Sequence, residues 1–220
     1  MIPPLADRLH ELGIVPVIVL ERASDAIPVV EALRAGGLPV AEITFRSDAA
    51  EEALRRIAGE APDILLGAGT VVRPEQADAA VAAGARFVVT PGFNPRVVDH
   101  CLGRSIPVVP GIATPGELEA ALERGIGLVK LFPAGPLGGV GWLRAVAGPY
   151  PTARFMPSGG VRAEHLADYL AQPNVAACGG TWLVTTAAVA VGDVDGIERL
   201  AREAVAIRRA VRPAAVRPGA

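Results

Sequence analysis

Short apolar runs alternate along the chain with longer segments whose apolar residues recur at helical spacing. The runs are rich in Val, Ile and Leu and lack the strict polar alternation of a half-exposed strand. This pattern favours a parallel sheet that is covered on both faces. It predicts eight strands, at 14–20, 39–45, 64–69, 86–90, 106–110, 128–132, 154–156 and 175–178.

Each run is followed by a segment with an apolar stripe, and most of these segments open on Ser, Asp or Pro, residues common at helix starts. They predict eight helices, at 24–34, 48–58, 74–83, 95–104, 115–124, 140–147, 162–171 and 193–209. Eight strand–helix units in one chain of 220 residues predict a single-domain α/β fold, a (β/α)8 TIM barrel over 1–210. Residues 211–220 have no periodic pattern and are predicted to form a flexible C-terminal tail.

A doubly wound open sheet is the alternative fold. It is the weaker hypothesis because no Gly-x-Gly-x-x-Gly motif follows the first predicted strand. The segment Gly67-Ala68-Gly69-Thr70 resembles that motif but lacks its third glycine.

Composition narrows the classes of partner. The formal net charge is −2, so the chain has no overall basic field for nucleic acid or an anionic membrane. Hydrophobic residues make up 51%, but the longest uncharged stretch, 169–192, is broken by Gln172-Pro173-Asn174 and by a Gly-Gly pair, so no membrane span is expected. No signal peptide is visible, which predicts a cytoplasmic protein. Cys101 and Cys178 are expected to be free, buried thiols.

Two charged residues fall inside the predicted strands, where charge is costly. Glu42 lies in the second strand and Lys130 in the sixth. Strands two and six are four apart in a ring of eight, and the interior layers of such a barrel draw on alternate strands. The two side chains are therefore expected to meet across the interior, either as a structural ion pair or as reacting groups.

The reacting alternative has a defined chemistry. A lysine in a dry site loses its proton more easily, and the neutral amine can attack a ketone to form a Schiff base. An iminium at C2 of a 2-keto acid withdraws electrons from the C3–C4 bond and allows it to break. Glu42 would then move protons as the general acid and base.

An anion site is expected at the other strand ends, because barrels of this kind often hold phosphate after strands seven and eight. Glycines and hydroxyls occur at both places: Ser158, Gly159 and Gly160 after strand seven, and Gly180 and Thr181 after strand eight. A single Gly-Gly pair is more often only a turn. Counting in steps of two from Glu42 directs Arg46 toward the same face, where a guanidinium could hold a carboxylate.

Metal chemistry has little support in the sequence. His10, His100 and His165 are isolated, and no strand end carries a cluster of carboxylates or a His-x-His pattern. We therefore expect neither a metal nor another cofactor.

Seven motifs in order resemble the 2-dehydro-3-deoxy-6-phosphogluconate (KDPG) and 4-hydroxy-2-oxoglutarate (KHG) aldolases, over about 15–206. The motifs are Val15-Pro16-Val17-Ile18-Val19, Glu42-Ile43-Thr44-Phe45-Arg46, Gly67-Ala68-Gly69-Thr70, Pro91-Gly92, Lys130-Leu131-Phe132-Pro133-Ala134, Pro157-Ser158-Gly159-Gly160 and Gly179-Gly180-Thr181-Trp182. By this resemblance Lys130 is the Schiff-base lysine and Glu42 the general acid and base. Arg46, Thr70, Pro91 and Phe132 then match positions around the pyruvyl group, and Gly159, Gly160, Gly180 and Thr181 match the phosphate end. Gly92 and Ser158 are further candidate substrate-binding residues.

The resemblance also implies a homotrimer of TIM barrels that acts without metal on a phosphorylated 2-keto-3-deoxy sugar acid. The expected products from KDPG are pyruvate and D-glyceraldehyde 3-phosphate, and those from 4-hydroxy-2-oxoglutarate are pyruvate and glyoxylate. The C4 epimer of KDPG, the galactonate-type substrate, is an alternative. A phosphosugar isomerase or epimerase, or a non-catalytic phosphometabolite-binding barrel, are the alternatives of another class.

Overall fold

The computed structural model describes residues 4–213. Within them, parallel strands alternate with helices, as the hydrophobic pattern predicts. The strands are β1 Ile14–Ile18, β2 Val40–Thr44, β3 Leu65–Gly69, β4 Phe87–Val89, β5 Val108–Val109, β6 Gly111–Ile112, β7 Leu128–Leu131, β8 Arg154–Pro157 and β9 Cys178–Gly180. The helices are α1 Leu5–Leu12, α2 Ala26–Ala35, α3 Ala50–Glu60, α4 Pro74–Ala82, α5 Pro95–Gly103, α6 Pro115–Glu123, α7 Gly139–Ala147, α8 Ala163–Leu170, α9 Thr186–Ala190 and α10 Val194–Val211.

The helices begin where the sequence offers caps. Thr114 and Glu117 form a reciprocal capping box at the start of α6, with the Glu117 N–H donating to Thr114 Oγ1 at 3.3 Å and the Thr114 N–H donating to Glu117 Oε2 at 2.9 Å. Asn94 caps α5 by accepting the Arg96 N–H at 3.1 Å, with Pro95 at the first helical position. Helices α1 and α9 were not predicted.

The strands form a curled parallel sheet in two parts. A six-stranded sheet has the order β5-β4-β3-β2-β1-β9, and a three-stranded sheet has the order β6-β7-β8. The first strand therefore pairs with both the second and the last. This order has no reversal point, which a doubly wound sheet requires. Isolated bridges, Phe155 to Val175 and Ser158 to Gly179, link β8 to the segment of β9.

Two predicted strands differ from the structure. The run at 106–110 is interrupted at Pro110, which has no N–H to donate, so β5 and β6 are separate and belong to different sheets. The last strand lies at Cys178–Gly180 and not at 175–178. Its glycines pair with β1, in a register that joins Val15 to Gly179. Tertiary pairing here overrides the low strand propensity of glycine.

The C-terminal boundary also differs from the predicted one. Helix α10 continues to Val211, and Arg212 donates three hydrogen bonds to backbone carbonyls, so neither residue belongs to a free tail. The rest of the predicted tail, 214–220, lies outside the described residues. In the described part of the chain, no helix combines the length and the apolar character that crossing a membrane requires.

Candidate active site

Lys130 and Glu42 meet inside the curled sheet. Lys130 lies in β7 and Glu42 in β2, and the distance from Nζ to Oε1 is 3.3 Å. The Lys130 side chain is 5% exposed and that of Glu42 is 0% exposed. The two side chains therefore meet across the interior, as expected, in surroundings that exclude most water.

Glu42 is held by a gap in the neighbouring strand. A Cβ atom at Gly69 would stand 2.7 Å from Glu42 Cγ and 2.8 Å from Cδ, so the carboxylate occupies space that only glycine leaves free. Glu42 Oε2 is buried and has no hydrogen-bond partner within residues 4–213. The carboxylate thus has one oxygen on Lys130 and one available to another donor.

Lys130 has an aromatic neighbour. The Phe132 ring centroid lies 5.4 Å from Lys130 Nζ. Gly159 allows this ring to sit where it does, since a Cβ there would be 2.9 Å from Phe132 Cε2 and 3.2 Å from the Pro133 Cα. The turn that follows β7 and the loop after β8 therefore shape the same side of the pair.

Lys130 is the only lysine of the chain, and the other basic residues among its 21 Lys and Arg are all arginines. Arginine keeps its charge and does not form imines in proteins. Lysine can lose its proton and can then form an imine. This selective use of lysine is a signal that the sequence analysis missed.

Arg46 and Thr70 form a second group at the carboxyl ends of β2 and β3. Arg46 Nε donates to Thr70 Oγ1 at 3.2 Å. Thr70 has a φ of 56°, a left-handed conformation that is uncommon for a β-branched residue and stores strain. Arg46 is exposed and lines a groove of about 570 Å³ with Arg73 and Gln76. Within residues 4–213, no direct hydrogen bond joins Arg46 to Lys130 or Glu42.

Pro91 and Gly92 form the turn after β4, and Thr90 fixes it. Thr90 Oγ1 donates to the Gly92 carbonyl at 2.7 Å and accepts the Gly111 N–H at 3.1 Å. The turn therefore packs against the interrupted strand next to β7, where Gly111 is in register with Lys130. The sequence analysis assigned no role to Thr90.

The predicted anion residues lie around the ends of β8 and β9. Gly160 and Thr181 line one cavity of about 480 Å³. Gly159 and Gly160 have φ values of 82° and 84°, which glycine adopts without strain. Ser158 is buried, and Gly180 ends β9. A Cβ atom at Gly159 would collide with the Phe132 ring, and one at Gly180 would collide with the Trp182 ring, so both positions favour glycine.

The same cavity contains residues that the sequence analysis missed. Arg162 and Trp182 line it together with Glu164. Arg162 is the N-cap residue of α8 and its side chain is 71% exposed. Its position two residues after Gly159-Gly160, at a helix start, could have indicated it.

The cysteines are poor candidates for a nucleophile. Both are free and buried. Burial raises the pKa of Cys101 to about 11 and that of Cys178 to about 12. The reactive thiolate is therefore scarce at neutral pH.

A buried amine and a carboxylate at the centre of a curled parallel α/β sheet, with a cavity beside Gly160 and Thr181 at the neighbouring strand ends, define an enzyme site for an anionic carbonyl compound. The family is shown by sequence. Residues 5–200 match the family model described as KDPG and KHG aldolase, and the chain belongs to this family.

Individual relatives with the same family name support this assignment. The chain is 49% identical to the 2-dehydro-3-deoxy-phosphogluconate aldolase of Treponema pallidum (strain Nichols), over 91% of this chain and 96% of that protein. It is 46% identical to the enzyme of the same name from Haemophilus influenzae, over 92% and 96%. Among solved structures, KDPG aldolase from Legionella pneumophila, with pyruvate captured as a covalent carbinolamine intermediate, superposes with a TM-score of 0.87. The two chains are 38% identical, over 90% of this chain and 97% of that one.

Proposed function

We propose that the protein is a class I, metal-independent aldolase that cleaves KDPG to pyruvate and D-glyceraldehyde 3-phosphate. It would also cleave 4-hydroxy-2-oxoglutarate to pyruvate and glyoxylate. The observation that carries the proposal is the buried contact of 3.3 Å between the only lysine of the chain and Glu42. A phosphosugar isomerase or epimerase needs no such amine, and a purely structural pair would not require lysine over arginine.

The reaction begins with transfer of a proton from Lys130 to Glu42. The neutral Nζ then attacks the C2 ketone of the substrate, and a proton passes from the nitrogen to the C2 oxygen to give a carbinolamine. Glu42 returns the proton to the C2 hydroxyl, which leaves as water, and the nitrogen lone pair forms the iminium. The buried setting of both groups keeps bulk water away from these steps.

Cleavage follows from the iminium. Glu42 takes the proton of the C4 hydroxyl, the electron pair of that O–H bond forms the aldehyde carbonyl, and the C3–C4 electron pair moves into the iminium to give an enamine. The aldehyde leaves, and Glu42 returns its proton to C3 of the enamine. Water then hydrolyses the second iminium, which releases pyruvate and restores the amine.

The substrate would lie between the two groups of predicted binding residues. The guanidinium of Arg46 and the hydroxyl of Thr70 suit the carboxylate of the pyruvyl group, with Pro91, Gly92 and Phe132 around it. Ser158, Gly159, Gly160, Gly180 and Thr181 suit the phosphate. The cavity at Gly160 and Thr181 also holds Arg162, whose guanidinium lies 4.0 Å from Glu164 and could turn to the phosphate.

The remaining expectations from the sequence are part of the same proposal. The two sheets would together close an eight-stranded TIM barrel in which β5 and β6 count as one strand interrupted at Pro110. This reading is supported by the bridges between β8 and β9 and by the Lys130 N–H that donates to the Pro110 carbonyl at 2.8 Å. Assembly as a homotrimer and a cytoplasmic location would follow the family.

Trapping with borohydride tests the mechanism. We expect pyruvate and borohydride to add one reduced pyruvyl group to the protein, which intact-mass measurement detects. Since Lys130 is the only lysine, a peptide map needs to distinguish only this residue from the N-terminal amine. The Lys130→Arg variant, which keeps the positive charge, is the matched control and should remain unlabelled.

Absence of label at Lys130 in the wild type would contradict the aldolase proposal. It would leave the isomerase or epimerase and the non-catalytic binding barrel as the alternatives. Where label is found, kcat/KM for KDPG, its C4 epimer and 4-hydroxy-2-oxoglutarate identifies the preferred substrate.

A further inference from the structure

The amino-terminal end of the sheet, opposite the candidate active site, carries an unusual set of cations. Arg154 is the first residue of β8, and Arg208 and Arg212 lie at the end of α10. His10 of α1 lies beside them. These four residues are called the basic cluster below.

Arg212 is fixed by the protein itself. It donates to the carbonyls of Leu170 at 2.9 Å, Ala176 at 2.9 Å and Val175 at 2.8 Å. Its Nη1 atom also lies 3.4 Å from His10 Nδ1. The guanidinium is therefore anchored beneath the segment that leads into β9.

Arg154 and Arg208 lack such partners. Within residues 4–213 neither side chain makes a hydrogen bond or an ion pair, and the Nε atom of each is buried without a partner. The Arg208 stem packs on Gly13, where a Cβ would stand 2.5 Å from Arg208 Cγ. Arg154 is in register with Leu128, one step of two residues before the pair of Lys130 and Met156, so it points to the interior face of the sheet.

No carboxylate of the described residues balances the positive charge of the cluster. Within residues 4–213, no Asp or Glu forms an ion pair with any of the three arginines. Burial and the neighbouring charges of Arg212 and Arg154 lower the pKa of His10, while a hydrogen bond with the Val175 backbone and the exposed Asp7 raise it by less. The three arginines stay protonated at every pH at which the protein is folded, so their positive charge remains.

A cavity opens beside Arg154, the one member of the cluster that lines it. It has a volume of about 360 Å³ and is lined by Arg154, Thr152 and apolar side chains that include Leu5, Ile106 and Leu128. Arg154 therefore faces space that a small molecule can enter. Guanidinium groups bind phosphate and carboxylate oxygens through paired hydrogen bonds, and a bound oxyanion would supply the missing counter-charge.

We propose that Arg154, Arg208 and Arg212 form a binding site for a small oxyanion on the amino-terminal side of the sheet. The shared chemistry is a phosphate or carboxylate group, either as a free ion or as part of a small metabolite whose body enters the apolar cavity. This site is separate from the proposed phosphate cavity at Gly160 and Thr181, and it does not depend on the aldolase proposal.

Its position can be tested in crystals of the wild-type protein. Soaking with selenate should give an anomalous peak within hydrogen-bond distance of the Arg154 and Arg208 guanidinium groups, in addition to any peak near Thr181. A selenate peak near Thr181 alone, at concentrations that saturate that site, would overturn the proposal. No variant has to fold for this test.

A second test compares single substitutions in solution. Arg154→Gln and Arg208→Gln should each weaken the binding of inorganic phosphate at this site at least tenfold, measured as the phosphate-dependent rise in Tm and by calorimetry. Arg209→Gln removes an equal charge from an exposed neighbouring position of α10 and is the matched control. Binding at the Thr181 cavity is common to all four proteins and cancels in the comparison.

Two further readings separate an anion site from a structural role. Without added anion, Arg154→Gln should be at least as stable as the wild type, because it removes an unbalanced cation. Phosphate should raise the pKa of His10 in NMR titrations. Equal phosphate responses in Arg154→Gln, Arg208→Gln and Arg209→Gln would refute the site.

The source of the oxyanion is identified by three ligands. Inorganic phosphate, glycerol 3-phosphate and acetate are titrated into the wild type and Arg154→Gln. Tighter binding of glycerol 3-phosphate supports a metabolite whose body uses the cavity, whereas equal binding supports a free ion. If none of the three discriminates between the two proteins, the proposal is wrong.

Discussion

The two ends of the sheet treat buried charge differently. At the candidate active site, one cation and one anion lie 3.3 Å apart and are almost completely buried. At the amino-terminal end, Arg154, Arg208 and Arg212 are half-buried and have no carboxylate partner in the described part of the chain. The pair of Lys130 and Glu42 has no net charge, whereas the three arginines at the amino-terminal end remain positively charged.

This contrast separates reacting groups from binding groups. A buried pair can pass a proton between its members without changing the net charge, so it can alternate between ionic and neutral forms. Arginines keep their charge and hold donors in a fixed geometry, which suits binding. The chain uses its only lysine at the first end and arginine at the second. The choice of cation therefore matches the chemistry that each end can support.

The largest expected effect breaks the reacting end. Lys130→Met and Lys130→Arg should both reduce aldol cleavage to the background rate, because neither side chain forms an imine. Cleavage is measured as the rate of pyruvate formation, followed through the enzymatic reduction of pyruvate. Lys130→Arg retains the charge beside Glu42, so circular dichroism and Tm should remain close to wild type. Turnover by Lys130→Arg would show that charge alone is sufficient and would refute the Schiff-base role.

Glu42→Gln removes the proton carrier and leaves the amine. We expect kcat to fall by about 10² to 10⁴, the usual contribution of a general acid and base. Slow trapping with pyruvate and borohydride should persist, because the nucleophile is intact. An unchanged kcat would exclude Glu42 from proton transfer.

The candidate site was more predictable than the details of the fold. Glu42 and Lys130 could be found because charge inside a buried strand is rare, and eight repeated units place the second and sixth strands opposite each other. The local pattern could not indicate the break at Pro110 or the strand at Cys178–Gly180. Both depend on which neighbour each strand meets, and that information is not local.

The basic cluster was missed for a similar reason. Arg154 lies at the edge of its strand, where a charge is ordinarily solvated, and Arg212 lies in the segment predicted as a tail. Only the folded chain brings Arg212 to this end of the sheet, where it donates to the carbonyls of Val175 and Ala176. A search for charges within strand interiors therefore finds the reacting end and not the binding end.

Gly69→Ala tests how finely the reacting pair is positioned. A Cβ atom would stand 2.7 Å from Glu42 Cγ, so the carboxylate must move while the strand pairing persists. A displacement of about 1 Å can cost about 10² in rate, and we expect kcat to fall by that order. Gly59→Ala is the control, because a Cβ at this helical position would meet nothing within 4 Å apart from its own helix backbone. Equal kcat values for both variants would show that Glu42 tolerates displacement.

Thr181→Ala addresses the anion cavity beside the reacting end. Loss of one hydroxyl that donates to a phosphate should raise KM for KDPG by about tenfold and leave kcat nearly unchanged. KM for the unphosphorylated 4-hydroxy-2-oxoglutarate should not change, so this substrate is an internal control. Equal effects on both substrates would remove Thr181 from the phosphate site.

The smallest expected effect concerns the amino-terminal end and its dependence on pH. Burial, together with Arg212 and Arg154, lowers the pKa of His10 below its ordinary value of 6.5. The unfolded chain therefore binds this proton more readily, and stability falls as the pH drops from above 6.5 through the folded-state pKa.

In the His10→Gln variant this part of the decline in Tm, about a few degrees, should be absent, whereas the His165→Gln variant should retain it. Added phosphate should flatten the wild-type curve, because a bound oxyanion favours the charged imidazole. If the His10→Gln and wild-type curves are parallel, the arginines do not act on His10, and the electrostatic contrast between the two ends fails.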